Sequence, residues 1–321
     1  MNIQVPKSFG PQKSVFKVLR IAGLILLSVV SQAAVCKEHS WYRYESPYFI
    51  ANSNASHKKT LAILTRLEMF RVAVSQVANL RVPASAVKTE VLILRTRKEF
   101  KELGRGRNTG AYAVQHDGKF LIVMPASGDR SMQMQIICHE YSHVLLGYSK
   151  FDFPRWYNEG FAELSSTIRF IDKDTAFTFG EPPPGLAYAS DNHFDWNTLI
   201  SEGWDNSSLR AQEVHNAYME SWLLAHYVTL GDDFKNTPKL HQYFELIEAG
   251  QSSLDAFEQA FGMDGNELWV RKLRRYNERL FALVYDFRTN DLHTDFQRSD
   301  SDPEAVLLLL EEQKKYNSSN D

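Results

Sequence analysis

Hydrophobic residues in the first third of the chain occur in short runs. Runs of this length, rich in β-branched and aromatic residues, are typical of strands, and they lie at Ser46–Asn52, Thr89–Arg95 and Gly110–Met124. The last run contains Asp117-Gly118, a tight-turn pair, and is therefore predicted to be a hairpin. Between the first two runs, apolar residues from Leu64 to Val77 recur every three or four positions, which predicts a helix.

Beyond about residue 130 the spacing of apolar residues becomes helical. One helix is predicted from Ser131, which can cap it, to Gly147, and a second from near Pro154, a residue type favoured in a first helical turn. The segment Asp172–Asn206 is rich in loops and contains three consecutive prolines, so we expect it to be stiff. Further helices are predicted at Glu213–Leu230, Lys239–Glu248, Leu254–Phe261 and Asn266–Val284.

These patterns predict an α+β fold in one domain spanning residues 41–285. A small N-terminal mixed α/β layer (41–125) is followed by a mainly helical subdomain (126–285). Residues 286–321 are predicted to be a polar tail with one short helix, and we assign no function to them.

The first 33 residues have a layout of their own. Basic residues precede the apolar run Ile21–Val30, and the small residues Ser31 and Ala33 follow, which is the arrangement of a secretory signal peptide at 1–33. The apolar run is ten residues long, whereas a helix needs about 20 to span a bilayer. We therefore expect an exported protein, periplasmic or extracellular, with no stable membrane span after cleavage. Retention of this segment as an uncleaved anchor is the alternative.

Composition and charge argue against several classes of protein. Of the 321 residues, 44% are hydrophobic and 23% are charged, which is the balance of a globular protein rather than a disordered one. The net charge of −3 gives no reason to expect nucleic acid or an anionic membrane surface as a partner. The two cysteines, Cys36 and Cys138, can pair in an exported protein or remain free thiols.

The strongest candidate for chemistry is the sequence HEYSH. It places His139 and His143 four residues apart, with Glu140 directly after the first histidine. Residues four apart on a helix lie about 40° apart around its axis, so both imidazoles can reach one metal ion. Glu140 lies one step round the helix, where it can take a proton from a metal-bound water without being a ligand.

A catalytic zinc site usually has three protein ligands and a water. Glu159 is the candidate for the third ligand, because it lies on the next predicted helix after enough residues for a turn and an antiparallel return. Gly160 follows it and allows two helix backbones to approach closely. Glu163 lies on the same helix face as Glu159, so one of the pair can bind metal while the other accepts a hydrogen bond from a ligating histidine.

The segments HEYSH, PRWYNEGFAEL and AYMESWLLAHYV resemble the gluzincin metallopeptidases. The closest likeness is to the bacterial peptidase-MA-like domains, over about 41–276. The resemblance implies a zincin-like fold with HExxH on a helix. It also implies that zinc is bound by His139, His143 and Glu159.

The same resemblance suggests roles for the remaining residues of the site. Glu140 would be the general base, and Glu163 would be the hydrogen-bond partner of a ligating histidine. Tyr218 would take the place of a tyrosine that steadies the oxyanion, a role that a phenol can perform. His215 is the rival for that role, whereas His226 lies in an apolar helix and is interpreted as a core histidine.

The chain also departs from the better-known gluzincins. The gap between the second histidine and the glutamate is shorter than in the thermolysin and aminopeptidase N branches, so the substrate rules of neither branch can be transferred. A segment of the GxMEN type, which anchors a free amino terminus in aminopeptidases, is absent from the sequence. Exopeptidase activity is therefore not supported.

The sequence as a whole predicts an exported zinc-dependent hydrolase that acts as a peptidase. It would cleave amide bonds of a peptide or protein with a zinc-bound water and Glu140 as general base. The alternative is a catalytically inactive zinc-binding scaffold or peptide-recognition module of the cell envelope. In either case Gly110–Val114 is a candidate edge strand onto which an extended peptide can dock.

Overall fold

The computed structural model describes most of the chain after residue 39. The described residues are 40–78, 80, 82–83, 86–104, 110–116, 119–128, 130–183, 186, 194–201, 204 and 209–319. The predicted signal peptide, Cys36 and the turn pair Asp117-Gly118 lie outside these residues. The segment Trp41–Asp321 forms one compact unit.

Nine strands form two sheets in the described part of the chain. They are β1 (Tyr42–Glu45), β2 (Phe49–Ser53), β3 (Thr89–Leu94), β4 (Tyr112–His116), β5 (Lys119–Pro125), β6 (Arg169–Ile171), β7 (Ala176–Phe179), β8 (Leu283–Asp286) and β9 (Gln297–Asp300). The larger sheet has the order β4-β5-β3-β2-β1-β9, and the smaller has the order β6-β7-β8. Strands β4 and β5 pair antiparallel, as a hairpin requires, whereas β3 is parallel to both β2 and β5. Strand β4 is therefore an edge of the larger sheet, as predicted.

Helices make up the rest of the regular structure. They are α1 (His57–Ala78), α2 (Arg97–Lys101), α3 (Arg130–Leu146), α4 (Arg155–Ser166), α5 (Trp196–Ile200), α6 (Ala211–Leu230), α7 (Thr237–Glu248), α8 (Ser253–Phe261), α9 (Gly265–Leu268), α10 (Arg274–Asn277) and α11 (Pro303–Ser319). A π-helical stretch, Trp269–Leu273, joins α9 to α10. The mixture of helices and sheets confirms the α+β class. The helix predicted at Asn266–Val284 is too long, since the chain leaves it at Asn277 and passes into β8.

Both faces of the larger sheet are covered. On one face Val91 and Ile93 of β3 pack in the main core with residues of α1 and α3. On the other face Leu92 and Leu94 pack in a smaller core with Phe100 of α2. A strand that is buried on both faces has no polar alternation, which explains the continuous apolar run in this part of the sequence.

Residues 286–321, predicted to be a polar tail with one short helix, contain that helix as α11, but they pack on the domain instead of forming a tail. Strand β9 pairs antiparallel with β1, and α11 lies over the smaller core, where Leu309 and Leu310 pack against it. The buried positions of α11 recur at helical spacing, but two of them hold Gln313 and Asn317. Asn317 donates to the Leu103 carbonyl at 2.8 Å, so a buried polar residue holds the helix in place. These polar residues hid the helical apolar stripe from a count of hydrophobic positions.

Gly160 marks the closest approach between α4 and α6. A Cβ atom at this position would lie 2.2 Å from the Ser221 carbonyl oxygen and 2.9 Å from Cβ of Ala225. The first contact is with backbone, which cannot swing aside. The prediction that this glycine lets two helix backbones come together is therefore confirmed, with α6 as the partner.

Replacing Gly160 with alanine is expected to destabilise the protein by about 3 kcal/mol or more, because α4 and α6 must separate to admit the methyl group. The free energy of unfolding in urea measures the change. Gly147→Ala is the matched control, since a Cβ there would lie 3.3 Å from the Val144 carbonyl oxygen within its own turn. We expect the control to change stability by less than about 1 kcal/mol. An equal loss in both variants would contradict the assigned contact.

In the part of the chain that the structure describes, no helix has both the length and the apolar composition needed to cross a bilayer.

Candidate metal centre

The candidate site lies between α3 and α4, which run antiparallel after a short turn. The turn begins where the Gly147 amide donates to the His143 carbonyl at 3.0 Å, and α4 begins after Pro154, whose ψ of 151° is extended. Trp156 of α4 is fully buried and donates from Nε1 to the Tyr243 hydroxyl at 2.9 Å. This anchor fixes α4, and with it Glu159, relative to the core.

Three side chains of these helices converge on one point. The Nε2 atoms of His139 and His143 are 3.3 Å apart. One carboxylate oxygen of Glu159, Oε2, lies 3.4 Å from Nε2 of His139 and 3.6 Å from Nε2 of His143. One ligand atom from each of the three residues falls within 4.8 Å of the others. The structure thus brings together the three residues that the sequence proposes as metal ligands.

The state of the Glu159 carboxylate fits a bound cation. Its Oε2 atom is buried and forms no hydrogen bond of ordinary geometry with the described residues, the two imidazole nitrogens at 3.4 and 3.6 Å being too far or poorly aligned. A buried polar oxygen without a good hydrogen bond is costly. Burial favours the neutral acid, yet the neighbouring imidazoles of His139 and His143 outweigh burial and hold the pKa of Glu159 below its usual value. An anionic oxygen beside two imidazole nitrogens is a ligand set that suits zinc.

Glu163 occupies the position expected of a partner for His139. Its Oε1 atom lies 3.4 Å from Nδ1 of His139, the nitrogen that faces away from the point of convergence. Burial raises the pKa of Glu163, opposed by the nearby His139. For His139, burial alone would lower the pKa, but the carboxylates of Glu159, Glu163 and Glu140 prevail and raise it. The imidazole of His139 is therefore surrounded by acidic groups.

Asn158 is a residue of this site that sequence reasoning missed. Its Oδ1 atom lies 2.7 Å from Nδ1 of His143. An amide oxygen only accepts hydrogen bonds, so Nδ1 of His143 is the donor in this contact and Nε2 is the ring nitrogen directed at Glu159. The sequence offered one signal for it: Asn158 directly precedes Glu159 in NEG, and one helical step turns its side chain toward the second histidine.

Asn158→Ala is expected to lower the affinity for zinc by about 10- to 100-fold, because His143 loses the acceptor that fixes its tautomer and orientation. Competition with a chromogenic chelator measures the affinity. Asn158→Asp keeps an oxygen acceptor at the same place and is expected to bind zinc at least as tightly as the natural protein. Unchanged affinity in the alanine variant would remove Asn158 from the site.

Glu140 and Tyr218 lie beside His139. Glu140 follows His139 on α3, is partly buried and contributes to the raised pKa of that histidine. The ring of Tyr218, on α6, has its centroid 6.2 Å from that of His139. His215, one turn earlier on α6, is near enough to Glu163 to oppose the rise of its pKa. Both candidates for the oxyanion role therefore remain next to the site.

A second group of missed residues supports Tyr218. The ring centroid of Trp204 lies 6.1 Å from that of Tyr218, and the guanidinium carbon of Arg155 lies over the Trp204 ring at 4.0 Å from its centroid. Arg155 also donates from Nη1 to the Trp204 carbonyl at 2.8 Å. Glu220 accepts from the Phe194 amide at 3.0 Å, and burial raises the pKa of Glu220 to about 8. The ring centroid of Phe194 lies 6.2 Å from that of Trp204, and no local sequence signal links these residues.

Two other predictions concern residues near the site. His226 is fully buried, and its ring contacts the Tyr276 hydroxyl at 2.6 Å and the Phe281 carbonyl at 2.9 Å. The interpretation of His226 as a core histidine with satisfied hydrogen bonds is confirmed. Cys138 is a buried free thiol whose pKa is raised by burial.

The chain matches no protein-family model, and no curated protein matches it. A function is therefore inferred from the side chains of this site and their geometry.

Proposed function

We propose that the protein is an exported zinc-dependent hydrolase, a peptidase with a zincin-like fold of the gluzincin type. One observation carries the proposal. Two imidazole nitrogens and a buried carboxylate oxygen converge on one point between two antiparallel helices, and that oxygen forms no hydrogen bond of ordinary geometry with the described residues. Glu140, a base of suitable chemistry, follows directly after the first of the histidines.

His139, His143 and Glu159 would hold the metal. When bound there, zinc would polarise the scissile carbonyl and increase the acidity of a water molecule. Asn158 and Glu163 would hold the two imidazoles in the orientation in which their Nε2 atoms are free to bind.

The remaining steps use side chains of this protein. Glu140 takes a proton from the attacking water as the new carbon–oxygen bond forms. Tyr218, or its rival His215, donates a hydrogen bond to the carbonyl oxygen while that oxygen carries negative charge. Glu140 then passes its proton to the leaving amine as the carbon–nitrogen bond breaks.

A second candidate function is a zinc-binding scaffold or peptide-recognition module without turnover. The observation that favours it is the position of β4 at one edge of the larger sheet, where it pairs only with β5 in the described sheet. An extended peptide can add to such an edge by main-chain hydrogen bonds. The same edge would serve a peptidase, so edge binding alone does not separate the two functions.

Cleavage of a peptide library by the mature protein, from about Ala34 onward, tests the proposal. Cleavage that is lost with a chelator and restored by zinc would support the peptidase. Stoichiometric zinc without cleavage of any peptide would favour the scaffold. Failure to bind zinc would contradict both. Amino-terminal sequencing of exported protein would test cleavage after residue 33.

A further inference from the structure

A cavity of about 710 Å³ lies beside the candidate metal centre and is separate from it. On α3 it is lined by Gln135 and Cys138, and beyond the end of α4 by Thr167, whereas His139 does not line it. Successive residues of a helix are turned by about 100°, so Cys138 and Glu140 flank His139 on opposite sides. A substrate would be attacked on the side of α3 that carries the proposed general base, Glu140. The cavity is therefore on the other side of α3.

The interior of the cavity is apolar. Its deepest walls are formed by Phe70, Met124 and Ala126, which are almost completely buried in the protein. Ile63 and Ile168 line it and are partly buried. A volume of this size lies within the range of about 300–1,000 Å³ that is usual for small-molecule sites.

Three polar side chains of the walls, those of Gln133, Ser166 and Thr167, form hydrogen bonds within the protein. Gln133 donates to the Ser127 carbonyl at 3.0 Å. Ser166 and Thr167 donate to the carbonyls of Glu163 and Leu164 at 2.8 and 3.0 Å. These groups are turned to the backbone, so the interior favours an apolar chain over a peptide, whose backbone needs hydrogen bonds.

Positive charge surrounds the apolar interior. The lining includes three cationic side chains, those of Lys59, Arg66 and Arg169, and a single carboxylate, that of Glu181. Arg169 pairs with Glu181, while Arg66 pairs with Asp174 at 2.9 Å. Lys59 is exposed and forms no ion pair with the described residues.

The two guanidinium groups retain binding capacity. Arg66 holds its aspartate through Nη1, and Arg169 holds its glutamate through Nη2. A guanidinium carries five N–H donors on three nitrogens, so each of the two arginines can donate hydrogen bonds to a second carboxylate.

We propose that this cavity binds a small amphipathic carboxylate of the fatty-acid type. The apolar tail occupies the interior between α1 and α3, and the carboxylate meets Lys59, Arg66 and Arg169 at the rim. Binding does not require zinc, so the site is independent of the proposed hydrolase.

Calorimetric titration of the mature protein with dodecanoate, below its micellar concentration, tests the proposal. We expect one molecule to bind per chain. Dodecanol has the tail without the charge and is expected to bind at least about tenfold more weakly. Acetate has the charge without the tail and is expected not to bind. An apolar peptide that binds where dodecanoate does not would overturn the proposal, as would equal affinities for dodecanoate and dodecanol.

Two neighbouring lysines of α1 offer a matched pair of variants. Lys59→Glu is expected to lower the affinity for dodecanoate by about tenfold or more, because it places a negative charge at the rim. Lys58→Glu reverses the same charge at an exposed position that does not line the cavity, and it is expected to leave the affinity unchanged. Equal effects of the two variants would mean that the carboxylate is attracted by overall positive charge and is not bound at the rim, and this would overturn the proposal.

A third variant tests the apolar interior. Ile63→Glu adds a carboxylate to the wall and is expected to abolish binding. Circular dichroism and a cooperative thermal unfolding transition establish that the variant is folded. Retained binding in folded Ile63→Glu would place the ligand elsewhere. Glu159→Ala is expected to bind dodecanoate normally, which keeps this result distinct from a failure of the metal site.

Discussion

Glu140→Gln is expected to abolish hydrolysis and to leave the zinc content unchanged. Glutamine has nearly the same shape as glutamate but cannot take a proton from water at neutral pH. A positioned general acid–base group contributes about 10²- to 10⁴-fold to the rate, and here one carboxylate performs both the base and the acid step. The rate of cleavage of the best library peptide, measured beside the zinc stoichiometry, checks this expectation.

Two further variants make the result specific. Glu102→Gln makes the same chemical change at an exposed position after α2 and is expected to have no effect. Tyr218→Phe removes the hydroxyl that would donate to the oxyanion, and we expect a loss of about 10²- to 10³-fold with zinc retained. Hydrolysis by Glu140→Gln at the natural rate would remove Glu140 from the mechanism. Unchanged turnover in Tyr218→Phe would transfer the oxyanion role to His215.

Local periodicity was enough to predict much of the fold. Helix α1 was predicted because its apolar residues recur every three or four positions, and the hairpin β4–β5 was predicted from the turn pair Asp117-Gly118 between two strand-like runs. The strand at 89–94 was predicted from its length and its β-branched residues. Each of these signals lies within a few neighbouring residues, so a single sequence contains all of it.

Long-range pairing was not predictable in the same way. Strand β9 is fully exposed and polar, and it joins the sheet by backbone hydrogen bonds to β1, more than 250 positions earlier. Helix α11 is held partly by buried amide side chains, such as Gln313, which accepts from the Tyr112 hydroxyl at 3.4 Å. From the sequence alone, polar residues at these positions indicate an exposed tail. In the structure they form hydrogen bonds that attach β9 and α11 to the domain.

The candidate site likewise contains residues that local spacing predicts and residues that depend on long-range contacts. The four-residue spacing of His139 and His143 determines their common face as soon as α3 is a helix, and a short turn brings α4 back beside it. Asn158 and Trp204 needed the structure, because the first depends on the angle between two helices and the second on contacts with α6. Helical geometry thus predicts which residues can meet, while tertiary packing decides what supports them.

Glu159→Ala is expected to cause the largest loss of zinc affinity among the carboxylate variants. It removes the one candidate ligand that is anionic and leaves two histidines, which is fewer than a zinc site needs. The loss should exceed the roughly 10- to 100-fold expected when only an orienting residue is removed. Because a ligand that binds only the folded state stabilises it, zinc should raise the melting temperature of the natural protein and not that of Glu159→Ala.

Glu163→Ala is the matched control for this result. Both glutamates lie on the same face of α4 one turn apart, and both face His139, with Glu159 nearest Nε2 and Glu163 nearest Nδ1. We expect Glu163→Ala to retain zinc with an affinity about 10- to 100-fold lower, since the histidine loses only its orienting partner. The reverse order of effects would make Glu163 the ligand and Glu159 its support. Equal and negligible effects of both variants would mean that the convergence of these side chains holds no metal.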